Sequence, residues 1–179
     1  MIYICATHHS LQSLAHNSQS QAFSESILSN KRADFKSKIE EFIKENKIDA
    51  VYEEIGEELC DQNNKPVISF CQEICGNHKI DYEFIETLAE RKDNNTTCVD
   101  ELRRANEIGA EGTPLGQDPS KLAAKEIHDK REVAWVSRLK ASFAKNILAV
   151  IGSSHTESFS KKLEREGFHV EILYCAFIT

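Results

Sequence analysis

The chain has 179 residues, of which 40% are hydrophobic and 28% are charged, and its formal net charge is −7 at pH 7. This length suits a single domain with a sizeable core, which we predict over residues 1–179. The acidic balance argues against a nucleic-acid partner, because phosphate binding needs clustered Lys and Arg. Apolar stretches are too short to span a membrane and no signal peptide is evident, so we expect a cytoplasmic protein with no membrane partner.

The six cysteines of the chain contain no C-x-x-C pair. Cys71 and Cys75 are four residues apart on one face of a predicted helix, where cysteine behaves as a small buried hydrophobe. Without an export signal, reduced thiols are the expectation. The cysteines therefore predict core packing.

The first part of the chain predicts strands that alternate with helices. Residues 2–6 are an apolar run typical of a strand buried on both faces, and residues 10–30 indicate a loop or an irregular helix. An apolar stripe that starts at Phe35 predicts an amphipathic helix ending near Asn46. The second strand is predicted at 48–52.

A second helix and a third strand follow. Pro66 suits the first turn of this helix, and Gly76 with Asn77 predicts its end. Residues 80–85 alternate apolar and polar side chains, which predicts a strand. Residues 90–120 contain three of the seven glycines and two of the three prolines, so we predict that this is the most loop-like part of the chain.

A long helix is predicted after this region. Asp118 and Pro119 are suited to the N-cap and the first helical position, and the helix should continue to about Lys145. Its inward face is predicted to contain Ile127, Trp135, Leu139 and Phe143.

The last elements complete the predicted fold. A strand is predicted at 147–151, a short helix at 156–166 that Gly167 ends, and a final strand at about 168–175. Alternating strands and helices are typical of an α/β fold. We therefore predict a mostly parallel central sheet of about five strands with helices on both faces.

Polar side chains follow three of the predicted strands. His8 and His9 follow the first, Glu53 and Glu54 follow the second, and residues 152–155, Gly-Ser-Ser-His, follow the fourth. Ligands of open parallel sheets bind beyond the carboxyl ends of the strands. Each group alone is more often a surface or structural feature, but their joint occurrence favours one functional site at this edge.

This set of side chains suits two kinds of hydrolytic chemistry. Imidazole and carboxylate groups bind Zn²⁺, Mn²⁺ or Fe²⁺, and a bound metal makes a nucleophile from water near neutral pH. Without a metal, a histidine paired with a glutamate can act as a general base on water. Gly152 and the amides of the following helix could hold an anion or an oxyanion. Adjacent strand residues point to opposite faces, so one residue of each pair should face the site.

Four segments carry a resemblance to a known family. Residues 152–155 fit a G-x-x-H motif, and residues 6–9 are similar to a first motif of this kind with Ala6 in place of glycine. Residues 50–53 are similar to a strand that ends in a glutamate, and residues 129–135 to a helix that carries an arginine. On these segments the chain resembles the TraB/Tiki superfamily, which is related to erythromycin-esterase-like and ChaN-like proteins.

The resemblance implies a hydrolase that cleaves a peptide or ester bond in a small-molecule or peptide substrate. It implies that His9 and His155 bind a divalent ion (Mn, Zn, Fe or Co) or activate water, with Glu53 as a third ligand or the general base. Arg131 would stabilise negative charge on the substrate or orient Glu53; a surface ion pair on its own helix is the alternative. Further candidates are His8, Glu54 and Ser154.

Two other functions agree with the same residues. One is a binding protein of the same fold whose histidines hold haem or a small anionic ligand. The other is a non-catalytic interaction module of a bacterial conflict system with a degenerate site. The sequence leaves the substrate, the metal and the oligomeric state open.

Overall fold

A computed structural model describes residues 1–7, 25–54, 68–113 and 116–174. The chain divides into two compact units. The first unit comprises Met1–Ile85 and Ser142–Thr179, and the second comprises Glu86–Ala141. Among the described helices, none is long and apolar enough to cross a membrane.

The described part of the chain contains five strands and six α-helices. The strands are β1 (Ile2–Thr7), β2 (Ala50–Glu53), β3 (Asp81–Phe84), β4 (Ile147–Gly152) and β5 (Val170–Tyr174). The helices are α1 (Glu25–Glu45), α2 (Phe70–His78), α3 (Leu88–Asp93), α4 (Cys98–Glu111), α5 (Pro119–Ala141) and α6 (Thr156–Arg165). The predicted α/β fold is confirmed.

All five strands form one parallel sheet in the first unit, in the order β3-β2-β4-β1-β5. From β1 the chain moves through α1 towards β2 on one side, whereas from β4 it moves through α6 to β5 on the other side. Right-handed crossovers then place α1 and α6 on opposite faces of the sheet. The carboxyl ends of β1 and β4, where Thr7 pairs with Gly152, therefore form a topological switch point, the usual ligand position in such sheets.

One face of the sheet packs against α1 and α2. Phe35, Ile39 and Ile43 of α1 form the buried stripe predicted from the sequence. They cluster with side chains from β1, β2, β4 and α2, which include Cys5, Val51, Phe70, Cys71, Cys75, Leu148 and Val150. The prediction that Cys71 and Cys75 are buried free thiols is confirmed.

The second unit is helical where the sequence predicted a loop. The prediction for 90–120 is wrong over α3 and α4, because two capping boxes start these helices. Thr87 and Glu90 form the first box, and Thr97 and Asp100 form the second. Reciprocal side-chain bonds to the first-turn amides offset the low helix propensity that glycine brings to the region.

Helix ends also differ from the predictions. α1 starts well before Phe35, at Glu25. α2 continues past Gly76 to His78, and Lys79 ends it in the left-handed conformation with φ of 57°. α5 ends at Ala141, so Phe143 lies outside the helix and is fully exposed; its prediction as a core residue is wrong.

Candidate functional site

His155 lies directly after the carboxyl end of β4. The chain passes from Gly152 into a short 3₁₀ turn, Ser153–His155, and then into α6. The His155 residue is only 2% exposed, whereas Ser154 is exposed. The G-S-S-H segment therefore buries its imidazole at the end of a central strand.

Glu54 is the carboxylate that the structure brings to His155. Its Oε1 atom is 3.5 Å from His155 Nε2, and both side chains are buried. Its Oε2 atom accepts a 2.6 Å hydrogen bond from the Gly152 backbone amide. Glu54 also donates its own amide to Val150 O at 3.0 Å. We call Glu54 and His155 the Glu54–His155 pair.

Glu53 has different partners. Its Oε2 atom accepts hydrogen bonds from Ser69 Oγ at 2.5 Å and from Tyr82 OH at 2.7 Å. The residue is completely buried. Ser69 is also the N-cap of α2 and accepts a 3.0 Å bond from the Gln72 amide. We call Glu53, Ser69 and Tyr82 the Glu53 cluster.

Burial and the Glu53 charge change the pKa of two acidic groups, the Cys75 thiol and the Tyr82 hydroxyl. Burial, and then the Glu53 charge, raise the pKa of the Cys75 thiol to about 12. The same two causes, in the same order, raise the pKa of Tyr82 well above its usual range. Both groups are therefore protonated at neutral pH, and Tyr82 is available as a hydrogen-bond donor to Glu53.

The two adjacent glutamates thus belong to opposite faces of the sheet. Glu53 is on the face that packs against α2, and Glu54 turns the other way, towards the segment after β4. Strand alternation predicted that only one of them would face His155. The family pattern had favoured Glu53 for that role, whereas the carboxylate near the imidazole in the structure belongs to Glu54.

Arg131 belongs to the second unit, where it is buried in α5. Its Nε atom donates a 2.7 Å hydrogen bond to Glu86 Oε2. Its guanidinium lies 4.9 Å from the ring centroid of Trp135, which is a cation–π geometry. The alternative of a surface pair with a glutamate on the same helix does not describe this contact, because Arg131 is buried and Glu86 precedes α3.

Glu86 is a buried acid that the sequence analysis did not select. One oxygen bonds Arg131 and lies 3.9 Å from Arg91 Nε, whereas Oε1 has no hydrogen-bond partner among the described residues. Glu86 comes two residues after the last residue of β3. Glu86 directly follows the predicted strand at 80–85, so an acidic residue after a strand, the pattern that Glu53 and Glu54 also show, is the signal that identifies it.

Two predicted site residues belong to a segment that the structure does not describe. His8 and His9 are not among the described residues, so the predicted meeting of His9 with Glu53 and His155 stays a prediction. Among the residues described, no group of three His, Cys, Asp or Glu side chains could hold a metal ion. Glu54 and His155 supply two potential ligands, and His9 would have to supply a third.

Comparisons with known proteins found no match for this chain. No family model matches the chain, no curated protein matches it, and no solved structure matches it. The arguments that follow therefore depend on the residues and geometry of this chain.

Proposed function

We propose that the protein is a hydrolase in which His155, oriented by Glu54, activates a water molecule at the carboxyl edge of the sheet. One observation carries this proposal. A buried imidazole lies 3.5 Å from a buried carboxylate, next to the switch point between β1 and β4 where ligands bind in folds of this class.

In this mechanism His155 takes a proton from water as the water attacks an ester or peptide carbonyl. His155 then returns the proton to the leaving alcohol or amine as the ester C–O or peptide C–N bond breaks. The Glu54 carboxylate orients the imidazole and stabilises the imidazolium that forms, and its attraction is strong because both groups are shielded from solvent. The hydrogen bond from the Gly152 amide supports the role of Glu54, since it holds one carboxylate oxygen and leaves the other beside the imidazole.

Charge on the carbonyl oxygen also needs stabilisation during the reaction. The first amides of α6 are the candidate donors, because this helix begins at the candidate site and its N-cap, His155, makes no side-chain cap. Amides at a helix start stabilise a developing oxyanion. The substrate class that fits is a small ester or a peptide.

The resemblance to the TraB/Tiki superfamily adds a divalent metal to this proposal. The Glu54–His155 pair would supply one carboxylate and one imidazole as ligands of this metal, a combination that Zn²⁺ and Mn²⁺ accept. A catalytic metal site needs a further protein ligand, and His9 is the candidate. When bound, such an ion would lower the pKa of its water ligand. The general-base role of His155 does not require it.

The proposal is tested with purified protein against a panel of chromogenic esters and fluorogenic peptides, with and without Mn²⁺ or Zn²⁺. His155→Asn should abolish turnover and leave the circular dichroism spectrum unchanged. The matched control is His169→Asn, an exposed histidine whose carbonyl bonds Ile2 at the amino end of the sheet. Turnover retained by His155→Asn would exclude the assignment.

A second measurement addresses the metal and the rival ligand. Elemental analysis of the wild type, His9→Ala and His155→Asn should show about one equivalent of metal only in the wild type, if a metal is the cofactor. A visible absorption scan on the same samples tests the haem alternative. A Soret band that is present in the wild type and absent in His155→Asn would contradict the hydrolase proposal and indicate a haem-binding protein.

A further inference from the structure

We propose that Glu53 is a positioning residue for the Glu54–His155 pair. Held by Ser69 and Tyr82 on one face of the sheet, Glu53 fixes the end of β2 so that Glu54 keeps its carboxylate on the Gly152 amide. The functional meaning of this inference rests on the proposed function, whereas its structural content does not.

The first step is that Glu53 itself has little freedom. Its carboxylate is completely buried, and two hydroxyl groups donate to one of its oxygens at 2.5 Å and 2.7 Å. Hydrogen bonds from hydroxyl groups to an ionised carboxylate are short and strong. Removing them would leave a buried charged group without its donors, which is costly. The side chain is therefore confined to one orientation.

The second step is that both donors are themselves fixed. Ser69 caps α2 by accepting a bond from the Gln72 amide, so its hydroxyl is oriented towards Glu53. Tyr82 lies in β3, in register with Val51 of β2. Glu53 thus connects the end of β2 to the start of a helix and to the neighbouring strand.

The third step links Glu53 to Glu54 through the backbone. The Glu53 carbonyl accepts a bond from the Ile85 amide at 2.9 Å, and the Glu54 amide donates to Val150 at 3.0 Å. These bonds hold the end of β2 at both edges, and the Glu53 carboxylate adds a third attachment on one face of the sheet. Since adjacent side chains point to opposite faces, fixing Glu53 on one face fixes Glu54 on the other.

The observable consequence is at Gly152. If Glu53 is released, the Glu54 carboxylate should spend less time on the Gly152 amide, and that amide should exchange its hydrogen faster. Hydrogen–deuterium exchange by NMR should show acceleration of about tenfold at Gly152 in Glu53→Gln, which is the effect of losing one hydrogen bond to a charged group. Tyr82→Phe, which removes one of the two donors, should show a smaller acceleration.

Two internal comparisons separate positioning from general destabilisation. The Ile4 amide, at the centre of β1, reports global opening, so the proposal requires Gly152 to accelerate more than Ile4. Glu83→Gln makes the same chemical change at an exposed residue of β3 and should leave Gly152 unchanged. If Glu53→Gln does not fold, Tyr82→Phe decides the question.

Exchange at Gly152 that is unchanged, or that rises only as much as at Ile4, would overturn the proposal. This outcome is distinct from a failure of the proposed function. The proposed function fails if the protein shows no hydrolysis, or if His155→Asn retains it. Where an active ester is found, Glu53→Gln should lower kcat more than it raises KM, because a displaced base still permits substrate to bind.

Discussion

Glu53 and Glu54 are consecutive in the sequence and both are buried, yet their carboxylates have different partners. Glu53 accepts hydrogen bonds from two hydroxyl groups, and burial and then the Glu53 charge raise the pKa of the Cys75 thiol. Glu54 has a backbone amide on one oxygen and an imidazole beside the other. The difference supports the proposal that Glu53 has a structural role and Glu54 a chemical one.

The partners of the two carboxylates also differ in chemical type. The hydroxyls of Ser69 and Tyr82 donate to Glu53, and burial and then the Glu53 charge raise the pKa of Tyr82. Glu54 lies beside the imidazole of His155, the group to which the proposed function assigns the proton transfer.

The largest expected effect is on catalysis. Glu54→Gln should lower kcat by about 10²- to 10⁴-fold, because the imidazolium at His155 loses the negative charge beside it. The amide keeps the size of the side chain and an oxygen for the Gly152 bond, so the fold should be retained. Steady-state kinetics on the ester identified by the substrate panel measures the effect. Glu83→Gln is the control, and equal rates in the two variants would contradict the role of Glu54.

The next effect is on stability, and here the larger loss is expected for the change at Glu53. Glu53→Ala should lower the free energy of unfolding by about 3–5 kcal/mol, because it breaks a buried network and leaves two hydroxyls without their acceptor. Glu54→Ala should cost about 1–3 kcal/mol, mainly through the unpaired Gly152 amide. Urea unfolding of both variants measures the difference. A larger loss for Glu54→Ala would reverse the assignment of structural and chemical roles.

A smaller effect isolates one hydrogen bond of the Glu53 cluster. Tyr82→Phe should lower the free energy of unfolding by about 1.5–3 kcal/mol, the range for a bond to a charged group. Tyr52→Phe in β2 is the matched control, since no hydrogen bond of its hydroxyl is found among the described residues, and it should cost less than about 0.5 kcal/mol. Similar losses in both variants would show that Tyr82 contributes packing alone.

The smallest expected effect is on the free energy of unfolding at alkaline pH. The Cys75 thiol has an ordinary pKa of 9.0 and a folded-state pKa of about 12. The unfolded chain therefore releases this proton first, so its contribution to stability is complete below pH 9 and is lost as the pH rises towards 12.

Cys75→Ala should flatten the fall of the unfolding free energy above pH 9, by at most about 1.4 kcal/mol per pH unit. Urea unfolding at several alkaline pH values measures the slope, and Cys98→Ala, at an exposed cysteine of α4, provides the control. An unchanged slope in Cys75→Ala would show that this thiol does not titrate differently in the two states.

Much of the fold could be read from apolar periodicity. The stripe that starts at Phe35 and the apolar run at 147–151 each matched an element of the structure, because burial of one face imposes a repeat on the sequence. Residues 90–120 did not match, because their glycine content predicted a loop in a region where two capping signals start helices. Thr87 with Glu90 and Thr97 with Asp100 form the capping boxes that start α3 and α4.

The site was only partly accessible from the sequence. The sequence by itself determined that His155 and two glutamates follow strands of a parallel sheet, because strand periodicity and the position of polar residues are local properties. It could not determine which glutamate meets the imidazole. That choice depends on the face to which each side chain turns, and therefore on the partners that α2, β3 and β4 bring to the end of β2. Only the tertiary structure placed Ser69 and Tyr82 around Glu53 and left Glu54 for His155.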